Sequence, residues 1–210
     1  MTDLKKLYEA IVGGNLELAV ETTNSALAEG VDPQLIIGDY MIPAMDKIGT
    51  MFEDCDVFVP ELLMAARAMK GSLRLIQPLL TASGAQSKGK VIIGTVKGDL
   101  HDIGKNIVGS MLEGAGFQVI NLGNDVSPQK FVEAINEHNP HIVAMSALLT
   151  TTMTEMEKTV SAIHEAGLRN QVKIMIGGAP VSEIYSQKIG ADGYSDNANG
   201  AVKLARLLIN

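Results

Sequence analysis

Apolar positions along the chain change their period near Leu80. Before that point they recur every three to four residues, the spacing of one helix face. Leu4, Leu7, Ile11 and Val12 follow it over Asp3–Val12, and Gly13-Gly14 interrupts it. Asn15 then stands where an N-cap belongs for a second helix ending near Gly30. Asp32-Pro33 offers a cap and a first-turn proline for a third helix, with Leu35, Ile36, Met41, Ile42, Met45 and Ile48 apolar. Pro43 inside that pattern predicts a kink or a break. Pro60 opens a fourth helix, Glu61 to about Leu79. Four helices with short joints predict a small bundle over residues 1–82.

Residues 83–90, Ser83 to Lys90, are small, polar and without periodicity, and read as a linker. Beyond it, short apolar runs alternate with helical patterns. Strands are expected at Val91–Val96, Gln118–Leu122, His141–Ala147 and Lys173–Ile176, with a weak one near Gly193-Tyr194. Helices are expected from about Lys105, Pro128, Met153, Ser182 and Ala198. Such alternation over 91–210 predicts an α/β domain with a doubly wound, five-stranded parallel sheet of flavodoxin or Rossmann-like type.

Composition narrows the setting. Apolar residues make up 46% of the chain, but aromatics only 4% with no Trp, so the core is aliphatic and the 11 Met serve as adaptable filler. A net charge of -7 argues against nucleic acid or an anionic membrane as partner. A single cysteine, Cys55, cannot form an internal disulfide, which points to a reducing compartment. With no signal-like N-terminus and no apolar run near 18 residues, a soluble, cytoplasmic protein is expected.

Candidate chemistry collects at the predicted strand ends, the edge where open α/β sheets bind ligands. Gly98, Asp99, His101, Asp102, Ile103 and Gly104 follow the first strand. Ser146, Leu148, Thr150 and Thr152 follow the third, and Gly177, Gly178 and Ala179 the fourth. Each has a structural reading as well. Asp99 or Asp102 fits a helix cap, Thr152-Met153-Thr154-Glu155 fits a capping box, and Gly177-Gly178 fits a tight turn. Elsewhere, His138 and His141 flank Asn139-Pro140, which excludes a shared helix face and points to a loop rather than a metal site. Cys55 sits among Glu53, Asp54 and Asp56, a setting that weakens it as a nucleophile, and it is assigned no role.

Asp99-x-His101-x-x-Gly104, then 41 residues, Ser146-x-Leu148, then 28 more, and Gly177-Gly178 resembles the base-off cobalamin-binding signature. Methionine synthase, the carbon-skeleton mutases and corrinoid methyl carriers share that signature. Upstream, Ile42-Pro43-Ala44-Met45, Gly49, Phe52-Glu53 and Phe58-Val59-Pro60-Glu61-Leu62-Leu63 resemble the family's helical cap, where the position of Cys55 is commonly Gly. The likeness is greatest to the small corrinoid proteins of methylamine-type methyltransferase systems. It implies three parts: a cap over residues 1–82, a linker over 83–90 and a cobalamin-binding domain over 91–210.

The resemblance implies a role for each position. His101 would be the axial cobalt ligand, with Asp99 fixing its tautomer and Thr152 extending the relay. Gly104, Gly177, Gly178, Ser146, Leu148, Thr150, Ala179 and Tyr194 would border the displaced nucleotide tail. Phe52, Phe58 and Val59 would shield the methyl face, with the linker as a hinge, the alternative being that all three are bundle core. The cofactor would be cobalamin, cycling between methylcobalamin and cob(I)alamin, or a related corrinoid. The implied partners are a substrate-specific methyltransferase, a second methyltransferase acting on a thiol or tetrahydrofolate, and a reductive activating protein, with no nucleic acid and no membrane. The chain itself would be a non-catalytic corrinoid subunit. Competing readings are a cobalamin-dependent sensor, disfavoured by the missing basic helix-turn-helix and Trp, and a mutase subunit, disfavoured by the methyl-type cap.

Overall fold

The computed structural model describes residues 2–82 and 88–209, in a chain that divides into two compact units. One comprises Met1–Ser87 with Glu113–Gly116, the other Lys88–Leu112 with Phe117–Asn210.

In the first unit, α1 (Leu4–Val12) and α2 (Leu16–Ala28) are capped by Asp3 and Asn15, whose side chains accept from the N–H groups of Lys5 and Leu18. Such caps satisfy donors that the first turn leaves unpaired. Asp32 caps α3 (Pro33–Leu35) through Gln34 N–H. The kink expected at Pro43 takes a particular form. The helix continues through a π-helical stretch, Ile36–Met41, into α4 (Ile42–Glu53). Pro43 has no N–H to bond back to Asp39, and its ring crowds that carbonyl. An inserted residue relieves both problems, and Ile42 N–H reaches the carbonyl of Ile37, five residues back. The fourth helix, α5 (Val59–Ala82), begins two residues before the expected Glu61. Leu7, Ile11, Met41, Met45, Leu62 and Met69 are buried in this bundle, so Met41, Met45 and Met69 are packing.

After α4, Cys55 N–H bonds to Phe52 O and Asp56 N–H to Met51 O, with Cys55 at φ 62. Those paired bonds form a Schellman helix end, whose left-handed residue is easiest for glycine. Cys55 therefore fills a glycine-type position.

The second unit holds β1 (Lys90–Thr95), β2 (Gln118–Asn121), β3 (Ile142–Ser146), β4 (Lys173–Gly177) and β5 (Gly193–Tyr194). All are parallel, in the order β2-β1-β3-β4-β5. The helices are α6 (Ile103–Gly114), α7 (Pro128–His138), α8 (Met153–Glu165), α9 (Glu183–Ile189) and α10 (Ala198–Leu208). Ile92, Val143 and Ile174 on neighbouring central strands are fully buried, which is why these strands read as unbroken apolar runs. Lys90, expected in the linker, instead begins β1 and pairs with Gln118. The rest of the linker up to Ser87, and with it the hinge expectation, lies outside the described residues. Helix α6 starts at Ile103, two residues before the expected Lys105 and directly behind His101-Asp102. Among the described residues no helix is long and apolar enough to cross a membrane.

The strand order places β1, β3 and β4 side by side. Their last residues, Thr95, Ser146 and Gly177, are paired in register. The loops that carry the candidate residues therefore leave the sheet from one edge.

Candidate functional site

Asp99 joins two of those loops. Its side chain is fully buried. Oδ1 accepts from His101 N–H at 3.0 Å and faces His101 Nδ1 at 2.8 Å. Oδ2 accepts from Leu148 N–H at 2.8 Å and from the Thr152 hydroxyl at 2.7 Å. Leu149 N–H adds a longer bond at 3.4 Å. The β1–α6 loop and the β3–α8 loop are thus tied through one carboxylate.

Burial would raise the Asp99 pKa, but the donors from Leu148, Thr152 and His101 outweigh it and hold the carboxyl well below the usual range. At neutral pH Asp99 is an anion, so the His101 nitrogen facing it carries the proton. In the neutral ring that leaves the lone pair on Nε2. The imidazole is 53% exposed, and its Nε2 has no hydrogen-bond partner among the described residues. A ring held by one nitrogen and open at the other has the form of a single axial metal donor.

The capping readings of Thr152 and Asp99 do not hold. Thr152 already has helical dihedrals (φ -91, ψ -13) and makes no side-chain cap. Its hydroxyl, also 2.9 Å from Leu149 O, has one proton, and the buried anion is the stronger acceptor. Asp99 spends its oxygens on His101, Leu148, Leu149 and Thr152 rather than on α6. Asp102 contributes its backbone carbonyl to Asn106 N–H.

The glycines divide into two kinds. A Cβ on Gly178, at φ 131, would come within 1.9 Å of Ala147 O, and one on Gly177 within 3.0 Å of Ser195 O. Their own chain accounts for them, as the turn reading has it. At Gly104 a Cβ would meet nothing within 4 Å. The protein's packing does not require that glycine, three residues after His101. In the two loops that Asp99 joins, Leu100 and Ile103 are 69% and 78% exposed, and Leu148 and Leu149 are also exposed. Exposed aliphatic side chains about one nitrogen donor suit a flat, largely apolar ring bound to a metal, and the residues present fit a corrinoid.

Among the remaining candidates, Gly98 turns at φ 77, while Ser146 and Tyr194 are partly buried at the ends of β3 and β5. Thr150 and Ala179 are exposed in their loops. Phe52, Phe58 and Val59 lie in the helical unit. Phe58 is 69% exposed and the other two are half-buried, so none belongs to the bundle core. Sequence reasoning missed Leu100 and Leu149, whose only signal was an apolar side chain in a polar loop. It also missed Lys105, buried with Nζ bonded to the side-chain oxygens of Asn106 and Asn121. Burial lowers the pKa of Lys105 and the charge of Asp102 opposes the shift.

Comparison with known proteins agrees with this chemistry. Residues 89–203 match a B12 binding domain, and residues 3–77 match a second B12 binding domain. A trimethylamine corrinoid protein of Methanosarcina barkeri is 44% identical over 209 residues, 99% of this chain and 96% of that protein. A cobalamin-binding protein from Desulfitobacterium hafniense DCB-2 superposes with a TM-score of 0.83 at 33% identity, covering 100% of both chains. A chain of the methanol:cobalamin methyltransferase complex from Methanosarcina barkeri superposes at 0.85 with 29% identity, covering 98% of this chain and 79% of that one. Two domain matches spanning nearly all of the chain, and relatives of this identity, lead to one conclusion: the chain belongs to the B12-binding corrinoid proteins, and its cofactor is a corrinoid.

Proposed function

We propose that this protein carries a methyl group between two methyltransferases on a corrinoid bound base-off, with His101 Nε2 as the lower ligand of the metal. The observation that carries the reading is the buried Asp99 carboxylate, 2.8 Å from His101 Nδ1 and 2.7 Å from the Thr152 hydroxyl. When bound, the corrinoid would supply the methyl-transfer chemistry.

The chain's own residues hold and orient. Asp99 keeps the Nδ1 proton in place and so points the Nε2 lone pair outward. Thr152 and Asp99 would form the relay behind the ligand, with the hydroxyl helping to hold Asp99 as the anion. Gly98, Asp102, Ile103 and Gly104 would shape the floor around the ligand. Ser146, Leu148, Thr150, Gly177, Gly178, Ala179 and Tyr194 would border the displaced tail. Phe52, Phe58 and Val59, on a cap spanning residues 1–82, would exclude water from the methyl face. Residues 83–90 would join this cap to the binding domain at 91–210.

A methyltransferase partner is supported by the methanol:cobalamin methyltransferase complex, and a methylated amine as donor by the trimethylamine corrinoid relative. A betaine-type donor would suit the same carrier. A second methyltransferase would pass the methyl to a thiol or tetrahydrofolate. A reductive activating protein would restore metal that has lost an electron. The proposed setting is the cytoplasm.

The test is reconstitution with cobalamin and the visible spectrum. Wild-type protein is expected to show an imidazole-bound, base-off spectrum. His101→Ala, altering a half-exposed side chain, should fold normally and lose it. An unchanged spectrum in that variant would overturn the ligand assignment.

A further inference from the structure

Beyond Asp99, the backbone of the ligand loop is held by residues with no assigned role. Three consecutive carbonyls in it each accept a hydrogen bond from another segment. Asp99 O accepts from Asp125 N–H at 3.0 Å and Leu100 O from Asn124 Nδ2 at 3.3 Å. His101 O accepts from the Thr95 hydroxyl at 3.1 Å. In return Asp125 Oδ1 accepts from Gly98 N–H at 2.7 Å.

The order of these bonds matters. Leu100 O lies on the peptide plane before the His101 Cα, and His101 O lies on the plane after it. Fixing both planes fixes φ and ψ of His101, and with them the direction of its Cα–Cβ bond. Asp125 sets the plane before that and anchors Gly98, the φ 77 turn where the loop begins. The strap is itself secured to the sheet. Thr95 N–H bonds to Gly123 O at 3.0 Å and Val126 N–H to Thr95 O at 2.9 Å. Asp125 stands at φ 51, a left-handed conformation that Asp and Asn adopt more readily than other side chains. A ligand of this kind must be held to within about half an ångström. Asp99 Oδ1 holds the ring and the N–H of His101, while the carbonyls on either side of its Cα are held from outside Asp99.

The geometry points to Thr95, Asn124 and Asp125 as positioning residues that clamp the His101 loop so that its imidazole stays aimed at the metal. The inference rests on His101 being the lower ligand. Asp125→Gly removes the Oδ1 acceptor and tolerates positive φ; Asp125→Asn keeps both acceptor and conformation. Thr95→Val removes only the hydroxyl and keeps the shape.

Two readouts are taken on each variant. Amide hydrogen exchange at Gly98 and the His101 ring NMR signals are followed without cofactor, and the imidazole-bound visible spectrum is followed after adding cobalamin. Asp125→Gly should speed Gly98 exchange and shift the imidazole on/off equilibrium roughly fivefold to tenfold toward off, the worth of one hydrogen bond. Asp125→Asn should restore both. Unchanged exchange and spectrum in Asp125→Gly would overturn the clamp. If Asp125→Gly lowers the unfolding midpoint, Thr95→Val decides by the same spectrum: a shift toward off supports the clamp and no shift overturns it. If wild type itself lacks the imidazole-bound spectrum, the ligand reading fails separately. The clamp is then judged without cofactor, where faster exchange and broadened ring signals support it and unchanged ones overturn it.

Discussion

The two edges of the sheet each carry a histidine and an aspartate, and they use them in opposite ways. At the carboxyl edge His101 turns Nδ1 to a carboxylate, so that nitrogen holds the proton and Nε2 is the free base. At the amino edge His141 Nδ1 accepts from Lys90 N–H at 3.1 Å, so in the neutral ring the proton lies on Nε2. The carboxylates differ too. Asp192 accepts from Ile174 N–H at 2.7 Å and is also paired with two cations, Arg169 at 2.9 Å and Lys173 at 3.9 Å. Asp99 is held by backbone N–H groups, a hydroxyl and the imidazole, with no Lys or Arg paired with it among the described residues. The amino edge even borders a cavity of about 590 Å³ lined by His141, Arg169, Lys173 and Asp192. Both edges thus have a histidine and an acid, and the neighbours impose opposite tautomers on the two rings.

The comparison breaks first at Asp99→Asn. The amide can offer its oxygen to only one side, so its NH2 must face either His101 or Leu148 and Thr152. One buried backbone N–H is then left without an acceptor, and we expect a loss of about 2–4 kcal/mol from the unmet bonds. The pH dependence has a definite sign. The folded pKa of Asp99 is depressed, so its stabilisation is complete above the unfolded value of about 3.9 and is lost as pH falls below it. Urea unfolding from pH 7 down to 3 should show wild type losing its advantage over the variant in that acid window. Parallel pH profiles would mean the donors do not act on an anion.

Asp192→Asn should have a smaller effect, about 1 kcal/mol, because the amide oxygen can still accept from Ile174 N–H and cation pairing at a partly exposed site is worth little. It should also be salt-sensitive. The wild-type advantage is expected to shrink between low and 1 M salt, where charges are screened beyond about 3 Å. The Asp99 contribution, made by buried dipoles, should persist. Equal salt sensitivity at the two sites would erase the electrostatic half of the comparison.

How much of this was legible follows from range. The period change near Leu80, the caps at Asn15 and Asp32 and the βα alternation are local signals, and the elements formed where they predicted. The order of β1, β3 and β4 follows from general rules for parallel sheets. What could not be read was which acceptor a side chain would choose. Thr152-Met153-Thr154-Glu155 has every mark of a capping box, yet the Thr152 hydroxyl turns to an acid 53 residues away. Asn124 and Asp125 look like ordinary turn residues until the turn is seen beneath the His101 loop. Gly178 and Gly104 are alike in sequence, and only the fold, with φ 131 at Gly178 and Ala147 O beside it, separates a glycine its own chain demands from one it does not.

His141→Ala should have the smallest effect, and it tests the tautomer argument most directly. Losing an acceptor for an exposed backbone N–H costs at most about 0.5 kcal/mol, since water replaces it. Placed beside His101→Ala, it separates residue type from setting: both remove an exposed imidazole from the same sheet. Only the loss at the carboxyl edge should abolish the imidazole-bound spectrum, because only there does a carboxylate hold the proton on Nδ1. If His141→Ala altered that spectrum, the assignment of the metal donor to one edge by its tautomer would be wrong.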